Sequence, residues 1–427
     1  MKVKMLRALI EEMSAKTEEL LCSVYSNPKE QKDRIISAID SFVKLFGDER
    51  EVSLLSVPGR SEILGNHTDH NRGKVLAGAI DKDIIAVVSK NGTDTVNLKS
   101  EGYEKDVIDL SLLDKKDAYP KYSSASLVLG TAGGFKLSGF AYGGFDAYAT
   151  SDVLRGSGIS SSAAFEVMIG NIFNHLYNSG TIDNTEIAKI AQYSENEYFG
   201  KPCGLMDQMA CAVGGFVYMD FEDPKSPDIQ PISFSLADAG YYLCIVNTGG
   251  NHADLNEDYA SVPMEMKKVA AILGKSELRG LAESDVISKI SEIRSVAGDR
   301  ALLRAVHFMR ENKRVELAKA ALTEKNIEKF FDKVIASGKS SFEFLQNVYT
   351  TKNVCEQGLS LALLLTEGFL EGRDGAYRVH GGGFAGTVQA YIRKEWAADY
   401  IELMESVFGV GAVMRLNIRP YGAVRLL

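Results

Sequence analysis

The chain reads as an α+β protein of two domains. Three observations predict this. The apolar pattern changes from helical spacing to short strand-like runs near residue 51, a second mixed region of strands and long helices follows residue 236, and 427 residues at 45% hydrophobic content can fill two separate cores. Residues 1–46 are amphipathic and helical, with the first part predicted to lie as a helix on the surface. Short β-rich runs follow at 52–57, 84–88 and 95–98, then helices near 160–178, 185–198 and 205–213. Residues 215–221 and 241–246 read as strands separated by a turn-rich, proline-bounded connection at 224–231. The domains are therefore expected to span 1–236 and 237–427. In the second, helical patterns cover 256–274, 300–321, 325–348 and 354–370, and strands at 388–392 and 413–416 flank a helix at 395–408. No internal repeat or low-complexity tract interrupts the pattern.

Composition narrows the function. The formal charge of −9, with no basic run, argues against a nucleic-acid partner, because such proteins need a face that neutralises phosphates. The five cysteines, Cys22, Cys203, Cys211, Cys244 and Cys355, are odd in number and form no C-x-x-C pair. That pattern suits reduced thiols in a cytoplasmic setting. Residues 1–22 lack an uninterrupted apolar stretch, so neither a signal peptide nor a membrane anchor is expected.

Four segments concentrate chemistry. In the first, Gly156, Ser157, Gly158, Ile159, Ser160, Ser161, Ser162 and Ala163 lead into a helix whose buried stripe is Phe165, Met168, Ile169, Ile172, Phe173 and Leu176. Glycines admit an anion close to the backbone, and the free amides and dipole of a helix N-terminus attract it. The same arrangement also serves as an ordinary helix cap. A Walker loop is absent, no acidic residue stands about 20 positions beyond the loop as a dinucleotide fold requires, and the H-R-D and D-F-G motifs are missing.

The second segment, residues 58–71, packs Arg60, Asn66, His67, Thr68, Asp69 and Asn71 into one stretch. Such side chains supply paired donors and acceptors for sugar hydroxyls, and a guanidinium can neutralise a transferring phosphoryl group; a self-satisfied cluster of turns is the alternative. In the third, Gly204 and Asp207 sit where Gly200–Gln208 opens a helix, and a carboxylate there can also be a simple dipole partner. The fourth, Gly381–Gly386, precedes a strand and reads either as a wall over a ligand or as a glycine-rich hairpin.

Together, in order and spacing, these segments resemble the GHMP kinases and, within them, the galactokinase branch. The pattern G-R-x-N-L-I-G-E-H-T-D-Y-N is similar to Gly59–Asn71, P-x-G-x-G-L-S-S-S-A-A to Leu154–Ala164, C-G-I-M-D-Q to Cys203–Gln208, and G-G-G-F-G-G to Gly381–Gly386. The resemblance covers about residues 50–420. It implies an N-terminal ribosomal-protein-S5-like domain, a C-terminal α+β domain and an active-site cleft between them. It further implies an ATP- and Mg²⁺-dependent transfer to the C1 hydroxyl of a sugar, galactose first. Asp207 takes the catalytic carboxylate and Arg60 the arginine that keeps it ionised. Asn66, His67, Asp69, Gly204 and Tyr259 fall at sugar-contacting positions, and Gly156, Ser157, Gly158, Ser160, Ser161, Ser162 and Ala163 at the phosphate loop. Ser162 and Glu195 match the metal-holding pair. The implied partners are a small sugar and ATP, with no nucleic acid or membrane, and a monomer is expected.

Departures from the pattern bear on the substrate. Asn66 stands where the branch carries glutamate, a residue expected to bond a hydroxyl remote from C1, so galactosamine, N-acetylgalactosamine, arabinose or galacturonate are alternative substrates. A non-catalytic galactose/ATP sensor is the alternative of another class. Arg155 and Leu154 replace other loop residues, His70 replaces tyrosine, and His380 replaces threonine and reads as a structural histidine. Residues 121–130 lack the aromatic pattern that borders adenine, so no stacking residue is assigned.

Overall fold

The computed structural model describes residues 1–25, 27–153, 158–250 and 255–427. In chain order the helices and strands are α1 (Val3–Glu12), α2 (Ala15–Cys22), α3 (Pro28–Phe46), β1 (Ser53–Leu64), β2 (Lys74–Lys90), β3 (Thr95–Ser100), β4 (Lys105–Asp109), α4 (Ser124–Leu137), β5 (Phe145–Ser151), α5 (Ser161–Tyr177), α6 (Asn184–Ser194), α7 (Met206–Val213), β6 (Phe216–Asp220), β7 (Asp228–Ile232) and β8 (Tyr241–Asn247). They continue with α8 (Asn256–Ile272), α9 (Glu283–Ser288), α10 (Ile290–Ala297), α11 (Asp299–Thr323), α12 (Ile327–Ser340), α13 (Gly358–Leu370), β9 (Gly375–His380), β10 (Thr387–Arg393), α14 (Ala397–Phe408), β11 (Val413–Leu416) and β12 (Val424–Arg425). The chain folds into two compact units that alternate in sequence: the first comprises Met1–Arg60, Ala79–Gly215 and Arg419–Leu427, the second Ser61–Gly78 and Phe216–Ile418.

In the first unit the strands order as β12-β1-β2-β5-β3-β4, with β12–β1, β2–β5 and β3–β4 antiparallel and β3–β5 parallel. Alternation along β5 sends side chains to two faces. Phe145 meets Phe173 of α5, whereas Tyr148 joins Ile85 and Val87 of β2 in a cluster with Val3, Leu6 and Ile10 of α1 and Ile39 and Phe42 of α3. The N-terminal segment is thus more than a surface helix, since its apolar stripe completes a core. A buried charge cluster ties it down. Asp83 accepts from Arg34 of α3 at 2.7 Å, from Tyr25 at 2.7 Å and from Arg419 at 3.1 Å.

The helix α4 carries three glycines and would be a weak helix by propensity. Packing explains them, because a Cβ on Gly130 would lie 2.6 Å from Ser194 Oγ, and one on Gly134 2.7 Å from Ile190 Cγ2. The glycines let α4 and α6 approach closely.

The second unit contains the antiparallel sheet β11-β8-β10-β9. In it, too, Lys74–Gly78 of β2 pairs with β6, and β6 with β7. The connection read at 224–231 therefore holds a strand. Cores form beneath α8, α10 and α11 around Val262, Met266 and Phe308, and beneath α13 and α14 around Val388, Tyr400 and Met404. Two wide π-helical turns follow helices, Glu195–Phe199 after α6 and Ser341–Leu345 after α12. Such turns often mark functional positions.

Candidate active site

In the first unit the decisive contact joins β1 to the first turn of α7. Arg60 Nε and Nη2 donate to Asp207 Oδ1 and Oδ2, each at 2.8 Å, a fork-to-fork pair between residues 147 apart in sequence. Arg60 Nη1 also donates to the Gly158 carbonyl at 2.6 Å. Ser160, the residue before α5, has φ of +59° and leaves the helix amides uncapped, while its hydroxyl donates to Asp207 Oδ2. A non-glycine residue in the left-handed region is costly and tends to persist at functional positions. Burial pushes the Asp207 carboxyl up, but the Arg60 charge and hydrogen bonds, with Ser160 and Lys201, hold it below the usual carboxylate range. Asp207 is therefore ionised at neutral pH.

Next to Asp207 on α7, Gln208 Nε2 donates to Glu195 Oε2 at 2.7 Å and to Glu166 Oε2 at 3.1 Å. Lys201 Nζ lies 3.2 Å from Glu195 Oε1. Among the described residues, Glu166 Oε1 and Gln208 Oε1 are buried without hydrogen-bond partners. Burial and the neighbouring Glu195 push the Glu166 carboxyl well above its ordinary value. The fully buried Gln208 amide separates two carboxyl groups that would otherwise face each other.

In the second unit, the loop after β1 meets the glycine-rich turn before β10. His67, at φ +58°, contacts the Gly382 carbonyl through Nε2 at 2.8 Å. A carbonyl only accepts, so Nε2 carries the hydrogen, and burial holds the ring below its ordinary pKa. Tyr259 of α8 donates to the Gly383 carbonyl at 2.8 Å and packs edge-on against Phe384. Gly383 has φ +79°, and a Cβ there would lie 2.0 Å from the Asn347 carbonyl oxygen, so glycine is required. Asn66 is fully buried: its Nδ2 donates to Gly381 O at 2.7 Å and Glu62 Oε1 at 2.9 Å, and its Oδ1 accepts from Asn347 Nδ2 at 2.7 Å and Ser341 Oγ at 3.3 Å. Asp69 opens a short 3-10 turn and stays partly exposed.

Comparison with known proteins bears on the family and the fold. The family model for the GHMP kinases N terminal domain matches residues 123–215, and that for the galactokinase galactose-binding signature matches residues 40–90. A galactokinase from Streptomyces coelicolor is 29% identical over 377 residues, covering 88% of this chain and 93% of its own. The structure of Lactococcus lactis galactokinase complexed with galactose has a TM-score of 0.75 at 22% identity, covering 90% of this chain and 98% of that one. Methanococcus jannaschii mevalonate kinase has a TM-score of 0.60 at 14% identity, covering 86% and 98%. This chain carries a GHMP kinase N-terminal domain and the GHMP kinase fold.

Within that GHMP kinase fold, the expected site residues form two groups. Arg60, Gly158, Ser160 and Asp207 come together in the first unit, where Glu195 joins Asp207 through its neighbour Gln208. Gly204 is exposed shortly before α7, and Ser161, Ser162 and Ala163 form the first turn of α5. Gly156 and Ser157, like Leu154 and Arg155, lie outside the described residues. Asn66, His67 and Tyr259 meet the glycine-rich turn in the second unit. His380 is a structural histidine there, with Ser61 Oγ at 3.1 Å from one ring nitrogen and Thr387 Oγ1 at 2.8 Å from the other.

Sequence reading missed Gln208, Glu166 and Asn347. Glu166 was signalled by being a carboxylate on an otherwise apolar helix face, and Gln208 by its place beside Asp207. Asn347 carries no local signal. A cavity of about 820 Å³ in the second unit, lined in part by Thr248, Leu255, Lys352 and Phe384, contains none of the expected site residues. It borders the glycine-rich turn through Phe384 and Ala385.

Proposed function

We propose that this chain is an ATP-dependent sugar 1-kinase that converts galactose to galactose 1-phosphate. The observation that carries this reading is the bidentate Arg60–Asp207 pair beside the N-terminus of α5. A depressed carboxyl remains ionised at neutral pH, ready to orient the C1 hydroxyl and accept its proton. Arg60 fixes that carboxylate in place and offers positive charge where phosphoryl oxygens become more negative. The first amides of α5 offer donors to the phosphates of ATP. His67, Asp69, Gly204 and Tyr259 are assigned to the sugar, which they would hold for transfer.

The oxygen donors near Asp207 suit a hard divalent cation, for Glu195 is a buried carboxylate and Glu166 Oε1 is buried with no partner among the described residues. Ser162 and Glu195 would hold Mg²⁺, which when bound offsets the negative charge of the phosphates. The cytoplasmic, monomeric setting is part of the same proposal. Among the described residues no helix is long and apolar enough to cross a membrane.

The test is turnover. Purified protein with Mg-ATP is offered galactose, galactosamine, N-acetylgalactosamine, arabinose and galacturonate, and ADP release is followed while the phosphorylated position is read by NMR. Phosphate on C1 is expected. Absence of turnover on every sugar would sink the kinase reading and favour a sensor.

A further inference from the structure

Asn66 is the departure from the galactokinase pattern that the structure explains, and the explanation lies four residues earlier. The pattern G-R-x-N-L-I-G-E-H has an amide where this chain has Glu62 and a carboxylate where it has Asn66. The two side chains touch here, with Asn66 Nδ2 donating to Glu62 Oε1 at 2.9 Å. The orientation of the amide is fixed, because the Gly381 carbonyl on the same nitrogen can only accept. A glutamate at position 66 would face the Glu62 carboxyl and the Gly381 carbonyl and, when ionised, could donate to neither. Amide and acid have exchanged places, and each position constrains the other.

The exchange has a consequence for recognition. An asparagine amide has two donor hydrogens and two acceptor lone pairs, and all four are taken by Glu62, Gly381, Asn347 and Ser341. The residue is fully buried. A ligand hydroxyl can reach it only by breaking one of these bonds, so its work lies inside the protein. It ties the loop after β1 to the glycine-rich turn, which His67 and Tyr259 also grip.

Resting on the sugar-kinase reading above, we propose that Asn66 is a positioning residue rather than a sugar ligand, and that the kinase consequently tolerates galactose-like sugars that lack or alter a hydroxyl remote from C1. A site built to bond a substrate hydroxyl rejects the analogue lacking it by about 10⁴- to 10⁵-fold. Without such a bond the discrimination is expected to fall to about 200-fold or less, the range set by shape and apolar contact.

The experiment measures kcat/KM and equilibrium sugar affinity of the full chain for galactose, 6-deoxygalactose, arabinose and galacturonate. Values for galactose and 6-deoxygalactose within about 200-fold of each other are expected; a stronger rejection of 6-deoxygalactose overturns the proposal. A second arm compares Asn66→Glu with the double change Glu62→Asn/Asn66→Glu. The single variant is expected to lose sugar affinity, seen in KM more than in kcat, and the double variant to regain galactose use while rejecting 6-deoxygalactose. Losses that simply add in the double variant overturn the coupling. If either variant fails to fold, the wild-type sugar series still decides. Failure to bind or phosphorylate every sugar overturns the kinase reading, and this proposal with it, whereas strict selection of galactose overturns this proposal alone.

Discussion

Replacing Asp207 with asparagine tests the chemistry most directly, because it keeps the side-chain volume and removes the charge. Two effects are separable. Loss of a positioned proton acceptor is expected to lower kcat by about 10²- to 10⁴-fold, or about 3–5 kcal/mol of barrier at 1.36 kcal/mol per decade. The second effect is on the resting protein: Arg60, with its side chain only 11% exposed, loses a partner held through two 2.8 Å contacts. Unit charges about 4 Å apart interact by about 4 kcal/mol at an effective dielectric of 20. Asp207 is 35% exposed, so solvent screening reduces this to about 1 kcal/mol, a fall in melting temperature of about 2–4 °C. The expected outcome is a large loss of turnover, a small loss of stability and sugar binding that calorimetry still detects. ADP release, thermal unfolding and sugar titration measure the three. Turnover within tenfold of wild type would refute the assignment of Asp207, and collapse of the fold would show that the pair is chiefly structural.

Other consequences are equally specific. Ser160→Ala removes a hydroxyl from Asp207 and is expected to lower kcat by about tenfold, a partly exposed charge-assisted hydrogen bond being worth about 1.5 kcal/mol; an unchanged kcat argues against it. Asp83→Ala strands Arg34 and the fully buried Arg419 and should cost about 3–5 kcal/mol, read in denaturant titration of the first unit. Acid should destabilise the second unit in two overlapping steps. Burial holds the His307 ring down to about 4 from 6.5, so the unfolded chain takes up its proton first and stability falls as pH drops from 6.5 to 4. Glu311 follows between 4.5 and 2: burial opposes its ionised form, but Arg314, His307, Arg378 and the Ser337 hydrogen bond outweigh burial and hold the carboxyl down to about 2. His307→Asn should flatten the first step in melting temperature against pH. Gly383→Ala forces a Cβ against the Asn347 carbonyl at positive φ and should cost more than about 2 kcal/mol while weakening sugar affinity.

The sequence by itself determined what depends on near neighbours. Helical spacing placed α5, α8 and α11, because a buried stripe at three- and four-residue steps is a local property. The motif loops were legible for the same reason, and with them Arg60, Asp207, His67 and Tyr259 as candidates. Tertiary structure decided the rest. The three glycines of α4 argue against a helix until the close approach of α6 is known. β4, β5 and β9 are short strands whose partners supply the stabilising contacts that local pattern lacks. Each of the two compact units is built from separate stretches of chain, which no local pattern announces. Whether Asn66 would face a ligand or the interior was equally undecidable, since three of its four partners, Ser341, Asn347 and Gly381, lie 275 to 315 residues away. Residue type states how many hydrogen bonds a side chain can make, and only the folded chain decides which groups make them.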